Sequence, residues 1–142
     1  MLTLSAATTI CDAALARGEA LGLAPLCVVV LDTGGHALAL KRDERASISR
    51  PEIATAKAAG CLGMGFGGRE IARRAAAVPG FVAALNGIFP KGILPVPGGV
   101  LIRDAAGVLI GAVGISGDTS DNDEVCALAG IAAAGLVAET GE

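Results

Sequence analysis

Two hydrophobic runs joined by a short polar turn, in the stretch PVPGGVLIRDAAGVLIGAVGISG at residues 95–117, constrain the fold most strongly. Runs of Val, Leu and Ile bounded by Gly, Pro and Asp are typical of strands that form a hairpin. The pattern predicts a strand over 93–103, interrupted at Pro97-Gly98-Gly99, a turn at 104–107 and a strand at 108–115. Because glycine has no side chain, a ligand or another backbone can approach these strands closely.

A second hairpin is predicted earlier in the chain. The apolar run at 25–32 and the run at 36–42 read as strands, and Gly34-Gly35 supplies the tight turn between them. Apolar residues at three- and four-residue spacing predict a helix over 3–22. Ser49 and Glu52 have the spacing of a capping box, which predicts a helix from there to about residue 63.

Further helical segments are predicted at 68–77, at 80–88 and after Asp121. The last helix is expected to bury an apolar stripe formed by Val125, Leu128, Ala132 and Leu136. The order is a helix, a hairpin, a helical middle, a hairpin and a helix. This order predicts an α+β fold in which one antiparallel sheet carries packed helices, as a single domain over 1–142.

Composition and charge exclude several classes of function. The net charge is −3, no basic block is present, and aromatic residues make up only 2% of the chain, so we expect no nucleic-acid partner. No apolar run is long enough to span a bilayer, and no secretory signal is recognisable, so a cytoplasmic protein without a membrane partner is expected. The four cysteines are too scattered to indicate a metal site, and they are expected to be small buried apolar residues.

Arg50, Lys57 and Met64 are seven residues apart and therefore share one stripe of the predicted middle helix. Lys57 is the only charge between Glu52 and Arg69. Two interpretations remain open: Lys57 anchors a carboxylate or forms a Schiff base, or it pairs with an acidic side chain of the protein.

His36 is the only histidine and follows Gly34-Gly35. An imidazole is a favoured ligand of a metal or a haem iron. The alternative is a polar residue at the tip of a hairpin without a ligand.

An acidic cluster surrounds the start of the last helix: Asp118, Asp121, Asp123 and Glu124. Such acids cap a helix and interact favourably with its dipole. The functional interpretation is that one of them faces the glycine-rich segment as a carboxylate base or binds a cation.

Four motifs in order resemble the GlcG/HbpS family, also called the haem-degrading or PduO C-terminal-like domain. They are VVLDTGGHALAL, RPEIATAKA, PVPGGVLIRDAAGVLIGAVGISG and DTSDNDEVCALAGI, and they span nearly the whole chain. The resemblance implies a profilin-like fold, with a five-stranded antiparallel sheet between helices, and a homo-oligomer. It also implies haem as a cofactor of some members, with His36, Met64 or a cysteine as the iron ligand.

Two functions follow as hypotheses. In the first, the protein binds haem or a related tetrapyrrole, and no other cofactor is expected. In the second, it is a cofactor-independent tautomerase, lyase or decarboxylase that acts on a small carboxylate or keto acid, so its activity as an enzyme stays open. Lys57 or Asp123 would then transfer a proton. The ligand-binding set comprises Arg50, Lys57, Pro97, Gly98, Gly99, Ser116 and Gly117.

Overall fold

The computed structural model describes all residues from Met1 to Glu142. A 3-10 turn at Leu85–Gly87 follows the fourth helix. The helices and strands, in chain order, are α1 (Leu4–Ala20), β1 (Cys27–Asp32), β2 (Ala37–Arg42), α2 (Arg50–Met64), α3 (Gly68–Ala77), α4 (Pro79–Ala84), β3 (Gly99–Arg103), β4 (Leu109–Ser116), α5 (Ser120–Ala133) and β5 (Val137–Glu139).

The five strands form one antiparallel sheet in the order β2-β1-β4-β3-β5. Two local hairpins, β1–β2 and β3–β4, meet at the centre of the sheet, where Cys27 of β1 lies opposite Ser116 of β4. Gly35 has a φ of +81°, the left-handed conformation that the tight turn between β1 and β2 requires. Both predicted hairpins are therefore confirmed.

Successive residues of each strand point to opposite faces of the sheet, and each face carries its own core. Val28 and Val30 pack with α1 and α5 on one face. Val29 and Leu31 pack with α2 and the segment after it on the other. The α/β/α sandwich expected from the resemblance is confirmed, and no helix is both long and apolar enough to cross a membrane.

Helix α2 lies unusually close to the sheet because glycines face it. A Cβ atom added to Gly114 would lie 1.9 Å from the Ala54 carbonyl oxygen, and one added to Gly99 would lie 2.4 Å from that of Lys57. These glycines in β3 and β4 therefore admit the backbone of α2, which occupies the space above them.

The predicted apolar stripe of the last helix is wrong in its orientation. Gly130 packs against the backbone of Ile10 in α1, where an added Cβ would lie 2.6 Å from the carbonyl oxygen. This close approach turns the small residues of α5 inward and leaves Val125 and Leu128 exposed, at 39% and 36%. The helix also ends at Ala133, and the missed strand β5 follows a left-handed Gly135.

Two boundaries also differ from the prediction. Strand β3 begins at Gly99 and not at residue 93, since Pro95 and Pro97 have no N–H to donate to a neighbouring strand. Ser49 has helical backbone angles, and its side chain makes no capping hydrogen bond, so the predicted capping box does not form. In contrast, Thr3 caps α1 by accepting a hydrogen bond from the Ala6 N–H, at 3.1 Å.

Candidate functional site

Lys57 and Asp123 form a buried ion pair. The Lys57 Nζ atom lies 2.9 Å from Asp123 Oδ2, and the side chains are only 4% and 1% exposed. Lys57 belongs to α2 and Asp123 to α5, which lie on opposite faces of the sheet, so the pair links the two helical layers. Burial raises the pKa of Asp123 above its ordinary value, and the ion pair with Lys57 opposes this rise.

The ion pair lies beside Gly98, the residue just before β3 begins. This glycine has a φ of +106°, and a Cβ atom added there would lie 2.8 Å from Lys57 Nζ. Asp123 Oδ1 also accepts a hydrogen bond from the Asp118 N–H, at 3.1 Å. The structure thus brings Lys57, Gly98 and Asp123 together, but the two charged side chains are buried and bind each other.

Arg50 and Ser116 form a second contact of predicted site residues. The Arg50 Nη1 donates to Ser116 Oγ at 3.0 Å, and its Nε donates to Ser47 Oγ at 3.1 Å. Ser116 is buried, whereas Arg50 is partly exposed. Pro97 and Gly117 pack elsewhere, Pro97 against Gly68 of α3.

The remaining acids of the cluster are engaged within the protein. Arg69 donates to Asp121 at 2.8 Å and to Glu124 at 3.0 Å, which ties α3 to the start of α5. Asp118 accepts hydrogen bonds from the Asn122 side chain and from the Thr119 and Ala24 N–H groups, and these lower its pKa. The predicted capping by these acids is wrong, because Thr119 caps α5 by accepting a hydrogen bond from the Asn122 N–H at 3.2 Å, and the acids are instead held by ion pairs and hydrogen bonds within the chain.

His36 lies at the tip of the β1–β2 hairpin with 78% of its side chain exposed. Its Nδ1 atom is 3.3 Å from Asp32 Oδ1. The same Asp32 oxygen accepts the N–H groups of His36 and Gly34, both at 2.9 Å, and these hydrogen bonds lower the pKa of Asp32. With Nδ1 turned to the carboxylate, Nε2 is the nitrogen that remains available to a ligand.

An apolar cavity of about 290 Å³ lies between this hairpin tip and α2. We call it the hairpin cavity; its lining includes Gly34, Gly35, Ala59, Leu62, Phe89 and Lys91. The imidazole of His36 lies against Gly34, since a Cβ added to Gly34 would lie 2.9 Å from the ring.

A second cavity of about 400 Å³, the edge cavity, lies nearer the start of α2. It is lined by Leu40, Pro51, Glu52, Thr55, Pro90 and Lys91.

The two proposed iron ligands are not brought together. Met64 ends α2 and packs, partly buried, against the core on that side of the sheet. Along α2 the lining of the hairpin cavity ends at Gly63, and neither Met64 nor His36 is one of its lining residues.

None of the predicted site residues lines the hairpin cavity, and Lys91 is the charged lining residue that the sequence did not lead us to single out. A signal was present, because Lys91 is the only charged residue between Arg74 and Arg103.

The four cysteines are all buried and unpaired, as predicted. Burial raises the pKa of the Cys61 thiol to about 12 and that of Cys11 to about 11. A thiol in this state is a poor metal ligand and a poor nucleophile. No cluster of His, Cys, Asp or Glu side chains has the arrangement of a metal site.

Comparison with known proteins finds one matching family and several similar solved structures. A family model described as "Haem degrading protein HbpS-like" matches residues 2–132. A double mutant of HbpS from Streptomyces reticuli has 32% identity over 92% of this chain and 85% of its own, with a TM-score of 0.79. The Klebsiella pneumoniae protein ORFY has 28% identity over 94% of this chain and 90% of its own, with a TM-score of 0.81.

A PduOC:heme complex covers 99% of both chains with a TM-score of 0.85. Its 24% identity to this chain shows a common fold alone. Among curated proteins, no sequence matches the chain.

Proposed function

Because the chain belongs to the HbpS-like family of haem-degrading proteins, we propose that it binds haem or a related tetrapyrrole where the β1–β2 hairpin meets α2. The observation that carries this proposal is the position of His36. Its imidazole is exposed and lies against Gly34, a residue that lines the hairpin cavity, and its Nδ1 atom faces the Asp32 carboxylate. A carboxylate at one ring nitrogen orients the ring and makes the other nitrogen a better iron ligand.

The residues of the hairpin cavity fit such a ligand. Leu62 and Phe89 offer apolar contacts to the macrocycle, and Lys91 offers a cation to a propionate. The volume of about 290 Å³ lies just below the usual range for small-molecule sites, so the cavity would hold only part of the macrocycle. Bound haem would supply a redox-active iron, and His36 would hold that iron in place.

A titration with haemin tests the proposal. The unmodified protein is expected to give a saturable shift of the Soret band. His36→Ala is expected to reduce this shift, because it removes the imidazole that would bind the iron. Met64→Leu is the matched control, because it conserves the volume packed against the core and should leave the spectrum unchanged. A titration without saturation, or one that His36→Ala leaves unaltered, overturns the proposal.

The proposal also includes a homo-oligomer in the cytoplasm. Val125 and Leu128 form an exposed apolar surface on α5, and such surfaces often mark contacts between proteins. Four unpaired cysteines agree with a reducing compartment.

An enzyme that acts on a small carboxylate through Lys57 and Asp123 stays a prediction. No observation favours it over haem binding, because each group is already engaged by the other and is shielded from solvent.

A further inference from the structure

The hairpin cavity and the edge cavity lie side by side along α2. They share Pro90 and Lys91. Thr55 lines the edge cavity, and Ala59 and Leu62 line the hairpin cavity. These three residues are spaced by four and three positions, which places them on one face of the helix. Lys91 is the one charged residue that lines both cavities.

The side chain of Lys91 reaches the β1–β2 hairpin. Its Nζ donates a hydrogen bond to the Gly35 carbonyl oxygen, and it forms no ion pair with any carboxylate of the chain. The side chain is exposed, and a lysine ammonium on a flexible four-carbon stem can change partners. A ligand carboxylate is a stronger partner for an ammonium than a neutral carbonyl.

We propose that Lys91 recognises the carboxylate of the tetrapyrrole, and that it joins the two cavities into one site when it leaves Gly35 for the ligand. This inference rests on the proposed function and specifies its ligand class: macrocycles with free carboxylates bind, and their esters bind poorly. Glu52 should determine which end of the site receives the ligand carboxylate. It lines the edge cavity, and it has no cationic partner within the chain, so it repels a carboxylate from that end.

The test compares haemin with its dimethyl ester on the unmodified protein and on Lys91→Met, with dissociation constants taken from Soret titrations. Methionine keeps the length and apolar contacts of the stem and removes the charge. Lys91→Met is expected to weaken haemin binding about tenfold, in the range of one charged hydrogen bond, and to leave binding of the diester unchanged. Glu52→Gln is expected to strengthen haemin binding and to have no effect on the diester.

Lys41→Met is the control, because Lys41 is an exposed lysine on β2 that lines neither cavity. Equal affinity of the unmodified protein and Lys91→Met for haemin overturns the inference. If haemin binding nevertheless depends on His36, the proposed function survives and only the role of Lys91 is lost. If the unmodified protein binds neither haemin nor the diester, the proposed function and this inference fall together.

Discussion

Replacing Lys57 by methionine should destabilise the protein severely, although this lysine lies outside the proposed haem site. The substitution leaves the Asp123 carboxylate, which is 1% exposed, without its cation at 2.9 Å. Breaking a buried ion pair from one side costs about 3–5 kcal/mol, because a buried charge remains uncompensated. With a urea m-value of about 2 kcal/mol per molar, the unfolding midpoint should fall by roughly 2 M. Urea unfolding followed by circular dichroism measures this shift.

The ion pair between Lys41 and Asp12 provides the comparison. Its atoms are closer, at 2.6 Å, but the side chains are 46% and 57% exposed. Water and salt screen an exposed pair, so Lys41→Met should shift the midpoint far less than Lys57→Met. Equal shifts for the two variants would refute the reasoning, since they would mean that burial does not set the strength of the Lys57–Asp123 pair.

The effect of Lys57→Met should also depend on pH. Burial already raises the pKa of Asp123 in the folded protein, and loss of the ammonium would raise it further. A carboxyl whose pKa is higher in the folded state binds protons preferentially in that state, so folding is favoured as pH falls through the interval between the two pKa values. The stability deficit of the variant should therefore be largest at neutral pH and shrink in acid. A deficit that is constant or grows toward acid pH would contradict this account.

Three further predictions concern packing, thiol reactivity and assembly. Gly114→Ala should destabilise the fold by about 1–3 kcal/mol or more in thermal unfolding, because its Cβ would meet the Ala54 carbonyl oxygen at 1.9 Å. Gly80→Ala is the control and should be nearly neutral, because the space around Gly80 is open. The cysteines should resist a thiol reagent at pH 8 until the protein is unfolded, since burial raises the Cys61 pKa to about 12; rapid labelling of native protein would contradict this. Ala133→Glu should dissociate the proposed oligomer in light scattering, and a 13.9 kDa monomer for the unmodified protein at micromolar concentration would contradict the assembly itself.

The fold was largely predictable from the sequence because its signals are local. The alternation of apolar runs with turn residues marks both hairpins, and Gly34-Gly35 alone indicates the first turn. Strand β5 was missed because Val137–Glu139 is only three residues long and continues an uninterrupted small-residue sequence. Its extended conformation depends on pairing with β3, which no local pattern encodes.

The candidate site was less predictable because its key relations are tertiary. The isolated charge of Lys57 on an apolar helix left open a ligand or an acidic partner, and only the packed structure identifies that partner as Asp123. The glycines were read as space for a ligand or another backbone, and in Gly99 and Gly114 that space holds the backbone of α2. Lys91 carried the same signal as Lys57, a single charge in an apolar stretch, but its contact with Gly35 depends on how the segment before β3 folds back over the hairpin.

The strand order also has a kinetic consequence. The two hairpins are local and can form early, but the central β1–β4 pairing joins segments roughly ninety positions apart along the chain, and closing such a loop carries a large entropic cost. Contacts of high sequence separation slow folding. Before β1 and β4 pair, each hairpin exposes the edge that will become the middle of the sheet. Folding intermediates of this protein should therefore be prone to aggregation through β1 and β4, and expression at low temperature and low concentration should raise the yield of native protein.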